Sequence, residues 1–271
     1  MLRLAVGAAL APALVACEPT RRGRSATMGG VEDLSYGNDP SQKAELHRPD
    51  GPSRGVVVVL HGGFWRAAYD FGLGRPLATS LASAGWTALN LEFRRVGNGG
   101  GFPQTLDDVS AGIDLLADLD DVDSTRVVTL GHSAGGHLAV WAAGRSKLDD
   151  DRWRPRVRVT AAVPPAGVLD LRGAIDRGLG DGAVEDFLGP DLDAALDVAD
   201  PIAQVPLDVP VRCIHGRGDD VVPIEQSEAY VKAADAAGAD AELVALDGDH
   251  VMHIDPASPA WKRTLELLDE L

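Results

Sequence analysis

The sequence predicts an α/β protein with a mainly parallel central sheet flanked by helices on both faces. Three observations predict it. Short β-branched runs, such as Val56 to Leu60 (VVVVL), read as strands buried on both faces of a parallel sheet. Segments of helical spacing lie between these runs, and strand–helix–strand alternation implies parallel pairing under helical cover. Candidate reactive residues fall just past the C-terminal ends of three different strands, where the loops of an open α/β sheet converge.

The elements follow in chain order. Residues 1–30 read as a leader and tether, and residues 31–271 as the folded domain. Arg3 precedes an apolar run from Leu4 to Ala16, which suits a signal-peptide core and is shorter than the about 20 residues that span a bilayer. Leu14-Val15-Ala16-Cys17 resembles a bacterial lipobox, which implies membrane anchoring through a lipidated Cys17 and a location in the cell envelope or outside the cell. Two other readings stand beside it. Cys17 is a buried cysteine of a short helix, or translation starts at Met28 and the protein is cytoplasmic.

Strands are predicted at Val56 to Leu60, Thr87 to Phe93, Arg126 to Leu130, Val157 to Val163, Val211 to His215 and Glu242 to Leu246. Leu106, Val109, Ile113 and Leu116 recur on one helical face. Ala134 to Arg145 and Glu225 to Ala237 are alanine-rich helices, and Leu265, Leu267 and Leu268 sit in a closing helix. Asn98 to Gly101, followed by Pro103, is a loop. Residues 164–206 hold Pro164, Pro165, Pro190, Pro201 and Pro206 among several glycines, and read as a short irregular cap over the C-terminal edge of the sheet. Cys213 falls in a buried strand and reads as a small core residue.

The composition excludes several classes. Hydrophobic residues make up 45% of 271, too many for a disordered chain. With 25 Lys+Arg against 41 Asp+Glu the net charge is −16, the wrong sign for gripping nucleic-acid phosphates. No zinc-type His or Cys spacing occurs, and no G-x-G-x-x-G follows a strand, so neither a metal nor a dinucleotide cofactor is expected.

Chemistry gathers at three turns. Gly131-His132-Ser133-Ala134-Gly135 is a G-x-S-x-G turn between the RVVTL strand and an alanine-rich helix, the context in which that motif presents a nucleophilic serine. The Ala134 amide at the helix N-terminus can donate to an oxyanion. His61-Gly62-Gly63-Phe64-Trp65 follows the VVVVL strand, where the amides of Gly63 and Phe64 can supply further donors. His61 reads as a structural hydrogen-bonder of that loop. Phe64 and Trp65 are either pocket walls or core, and Trp65 and His132 are carried as substrate-pocket candidates. A serine needs a base, and the base an orienting carboxylate. Asp219 and Asp220 follow one strand; Asp249, His250 and His253 follow another. His250 is the favoured base because it comes soonest after the strand. Asp219 and Asp220 both remain open as the acid.

The segments HGGFW, GHSAGGHLA and HGRGDDVVP, with the terminal DH before IDPASPAW, resemble the α/β-hydrolase superfamily. They are most similar to its esterase and kynurenine formamidase (arylformamidase)-like branch, from about Tyr36 onward. The resemblance implies an α/β-hydrolase fold with a small cap and a Ser133–His250–Asp219 triad working without a cofactor. It selects Asp219 over Asp220 and agrees on His250. Two departures concern the substrate: Val251 stands where an aromatic is usual, and Phe64 where formamidases carry tyrosine. The expected reaction is hydrolysis of a small or medium carboxylic ester through an acyl-enzyme. A formamidase-like or peptidase-like amide hydrolase is the alternative, and a binding protein on the same fold a further one.

Overall fold

The computed structural model describes residues 30–271. The leader, Cys17 and Met28 lie outside the described residues. The chain forms β1 (Val31–Ser35), β2 (Lys43–His47), β3 (Val56–Leu60), α1 (Arg75–Ser83), β4 (Thr87–Leu91), α2 (Gln104–Asp114) and β5 (Val127–Gly131). There follow α3 (Ala134–Gly144), β6 (Ala161–Val163), α4 (Leu171–Asp176), α5 (Ala183–Leu188) and α6 (Leu192–Ala199). The last elements are β7 (Val211–Gly216), α7 (Glu225–Ala236), β8 (Ala241–Leu246) and α8 (Pro259–Glu270).

The strands make one sheet in the order β1-β2-β4-β3-β5-β6-β7-β8. From β4 to β8 every pairing is parallel; β1 and β2 pair antiparallel with each other, and β2 with β4. The VVVVL strand shows why both faces need cover. Val56, Val58 and Leu60 join the core under α2 and α3, while Val57 and Val59 join the core under α1 and α8. Helix α3 is buried along its whole length because the sheet lies on one side of it and the cap on the other.

The structure departs from the sequence expectations in three places. The β1–β2 hairpin was not anticipated, because VEDLS and KAELH mix charges with apolar residues and lack a β-branched run. The strand expected over Val157 to Val163 pairs only over Ala161–Val163, since the Val157 amide donates to Asp114 at 3.0 Å instead of to a strand. The cap at 164–206 is helical rather than irregular. Its glycines at 178, 180, 182 and 189 adopt positive φ between or at the ends of α4 and α5, so they punctuate the helices instead of breaking them. The cap packs against α3, with Trp141 Nε1 donating to Val198 O at 3.1 Å. No helix of the described residues is long and apolar enough to cross a membrane.

Candidate active site

β5 delivers Ser133 into a turn at φ 59°, ψ −122°. A side chain in that left-handed region is strained. The turn is tight enough that only glycine fits around it. A Cβ on Gly131 would collide with the Gly135 carbonyl, and one on Gly135 with the Leu60 carbonyl. Ser133 N donates to Pro165 O at 3.0 Å, and its side chain lines a cavity of about 180 Å³ at the C-terminal edge of the sheet.

The loop after β3 lines the same cavity. Gly63, Phe64 and Trp65 all have positive φ, at 113°, 55° and 53°. Two of these are not glycine, so strain is stored here and must be held by packing. Trp65 holds it. The ring is buried, stacks on Phe187 of α5 at 5.0 Å, and donates from Nε1 to His137 Nδ1 at 3.1 Å. Trp65 does not line the cavity, which corrects its assignment to the substrate pocket. It anchors the loop to α3, one turn beyond Ser133. Phe64 does line the cavity.

The remaining side chains come from the loops after β7 and β8. His250 Nδ1 donates to Asp219 Oδ2 at 2.7 Å, which leaves its Nε2 without a proton when the ring is neutral. Asp219 Oδ1 accepts the amides of Val221 and Val222 at 3.0 and 2.8 Å, and His215 Nε2 lies 3.4 Å from Oδ2. Burial pushes the Asp219 carboxyl up, but the hydrogen bonds from His215, His250 and the Val222 amide outweigh it and hold it well below the usual carboxylate range. Asp220 is exposed, and Asp249 accepts the Met252 amide at 3.2 Å.

His132 and His253 complete a cluster of imidazoles on the cavity wall. His132 donates from Nε2 to the His250 carbonyl at 2.8 Å, with the two rings 4.3 Å apart. It thus ties the serine turn to the histidine loop. His253 is fully buried and neither ring nitrogen has a hydrogen-bond partner. Burial, with neighbouring histidines adding to it, lowers His132 to about 3 and His253 to about 4. Both rings are neutral near pH 7.

Apart from these groups the cavity is apolar. Tyr69, Leu73 and Leu77 form one wall, and Ile254 and Trp261 another. α1 and α8 meet behind it, where Trp261 Nε1 donates to Ser80 Oγ at 2.8 Å. The cap contributes only Pro165. The sequence carried no local signal for Tyr69, Leu73 and Leu77, because they lie in an irregular segment and on a helix whose role depends on α8. Trp261 lies in the terminal IDPASPAW segment, where no local pattern marks it as a cavity wall. No group of three or more His, Cys, Asp or Glu among the described residues is placed to hold a metal ion.

A model of the BD-FAE family matches residues 46–233. The chain is similar to the probable carboxylic ester hydrolase LipM of Mycobacterium tuberculosis, 29% identical over 226 residues that cover 73% of this chain and 50% of LipM. It is also similar to the isoprenylcysteine alpha-carbonyl methylesterase ICME of Arabidopsis thaliana, 26% identical over 246 residues, 79% of this chain and 55% of ICME. The chain thus spans about half the length of these curated relatives. Among solved structures, a carbohydrate esterase from gut microbiota superposes with a TM-score of 0.74 at 20% identity, covering 90% of this chain and 98% of that one. Esterase B of Lactobacillus rhamnosis, inhibited in the crystal, superposes with a TM-score of 0.77 at 22% identity, covering 89% of this chain and 86% of that one. These likenesses establish the α/β-hydrolase fold.

Proposed function

Because the chain belongs to the BD-FAE family, we propose that it is a serine hydrolase that cleaves small carboxylic esters through Ser133, His250 and Asp219. The observation that carries this reading is the strained serine turn sharing one cavity with a histidine whose Nδ1 is bound to a buried carboxylate. Maintaining a residue at φ 59°, ψ −122° costs stability, so the strain has a use elsewhere. Relatives and structural neighbours named as esterases support ester hydrolysis over other acyl transfers.

In the proposed mechanism His250 Nε2 takes the proton of Ser133 as Oγ attacks the ester carbonyl. Asp219 holds the proton on Nδ1 and stabilises the imidazolium. Negative charge on the former carbonyl oxygen is met by the amides of Ala134 and Gly63, with Phe64 next in line; one such donor contributes roughly 2.7–4 kcal/mol. His250 then protonates the departing alkoxide, and water, deprotonated by the same nitrogen, hydrolyses the acyl-enzyme.

The cavity sets the substrate. At about 180 Å³ it resembles in size the roughly 150 Å³ apolar cavities that hold benzene, so it takes an acyl group of a few carbons. Its largely apolar walls disfavour a charged acyl chain. Turnover of a p-nitrophenyl ester series beside N-formylkynurenine tests the reading. Hydrolysis of the short esters, lost in Ser133→Ala, is expected; cleavage of N-formylkynurenine alone would point to an amide hydrolase instead.

A further inference from the structure

We propose that Glu92 and Arg95 are positioning residues that act through His61 to aim and strengthen the oxyanion donor at Gly63. The proposal rests on the serine-hydrolase reading above. His61, at the start of the oxyanion loop, and its partners Glu92 and Arg95 are buried, at 4%, 2% and 5% exposure. His61 Nδ1 lies 2.7 Å from the Gly62 carbonyl oxygen, so the ring carries a proton there. Its Nε2 lies 3.2 Å from Arg95 Nη1 and 3.2 Å from Glu92 Oε1. Arg95 donates to the carboxylate and to the ring together, which fixes the tautomer. Phe93 stacks on the imidazole at 4.4 Å and 6°, fixing its plane.

The consequence runs through one peptide group. The Gly62 carbonyl and the Gly63 N–H belong to the same planar unit and point in opposite directions. A hydrogen bond that holds the carbonyl therefore aims the N–H, and polarises it toward stronger donation. Glu92 extends the effect to the acyl wall. Its Oε2 accepts the Phe71 amide at 3.1 Å, and Phe71 opens the short turn that carries Leu73. One buried carboxylate thus aligns an oxyanion donor with the pocket wall. Replacing a buried charge pair by apolar residues is often no worse for stability, so stability alone does not account for it.

The test combines Glu92→Gln, His61→Asn and the double variant, each checked for fold by circular dichroism. Removing a whole oxyanion donor costs about 10²–10³ in kcat, and misaiming one should cost at least about tenfold. Glu92→Gln is expected to lose that much kcat on p-nitrophenyl acetate with KM nearly unchanged. Affinity for a trifluoromethyl ketone, which forms an oxyanion, should fall in parallel, while affinity for the matching methyl ketone holds. Glu92→Gln removes the charge beside His61 but keeps an oxygen for the Phe71 amide, so in the His61→Asn background it should cost no further kcat. A folded Glu92→Gln with wild-type kcat, or one whose loss persists in full beside His61→Asn, overturns the proposal. If Glu92→Gln does not fold, ¹⁵N NMR of the wild-type protein decides: a proton on His61 Nδ1 is expected, and a bare Nδ1 overturns the proposal. Absence of any Ser133-dependent turnover in the wild type would instead sink the functional reading beneath it.

Discussion

His250 Nδ1 and Asp219 Oδ2 lie 2.7 Å apart, and the other oxygen of that carboxylate is held by two backbone amides. The ring of His250 cannot rotate or exchange tautomers without breaking a charge-assisted hydrogen bond. That constraint is what would allow Nε2 to act as a base toward Ser133.

Asp219→Asn should keep the fold and lower kcat by about 10⁴, the cost of losing the orienting acid in known serine triads. Steady-state kinetics on a short ester measures it. The substitution also bears on stability. A carboxyl held below its ordinary range stabilises the fold above its unfolded pKa, and that contribution is lost as pH falls through the acid range. Asp219→Asn should therefore narrow the stability difference between pH 7 and pH 3, read by urea midpoints.

Ser133→Gly should abolish turnover and raise stability. Glycine occupies φ 59°, ψ −122° freely, and the relief, about 1–3 kcal/mol for such strain, exceeds the extra unfolded-state freedom of glycine. A net gain near 1 kcal/mol, against no gain for Ser133→Ala, is expected in denaturant unfolding.

Histidines held low by burial make the protein acid-sensitive. His253, with a folded pKa of about 4, binds its proton in the unfolded state near 6.5. As pH falls between those values the unfolded state takes up a proton that the fold refuses, so stability drops. His132 and His137, lowered to about 3 and about 4, act in the same direction. Asp200, raised by burial to about 6, acts in the opposite one, binding its proton in the fold first. His253→Leu should flatten the stability–pH slope between pH 6 and 4.5 by about 1 kcal/mol per pH unit, and Asp200→Asn should steepen it. Equal slopes in all three proteins would contradict the assignment.

Leu73 is 39% exposed at the lip of the cavity, so trimming it opens space at small cost to the fold. Leu73→Ala should move the preferred p-nitrophenyl ester toward longer acyl chains. Unchanged chain preference would place the acyl group elsewhere.

Much of this was legible in the sequence, for physical reasons. The buried strands announce themselves because both faces of β3, β4 and β5 need apolar side chains. The serine turn is legible because sterics admit only glycine at 131 and 135. Long-range partnerships were not. Trp65 could be wall or core until Phe187, from a distant helix, was seen to stack on it. The apolar wall of the cavity depends on α1 meeting α8, a contact between Ser80 and Trp261 that no local pattern encodes. The β1–β2 hairpin escaped because its strands alternate charges with apolar residues on an edge of the sheet.

The most direct test of the central claim is reaction with a fluorophosphonate, read by intact mass and peptide mapping. The account predicts one adduct, on Ser133, forming rapidly in the wild type and barely at all in His250→Ala. A folded wild-type protein that takes no adduct, or takes it at another residue, would contradict it.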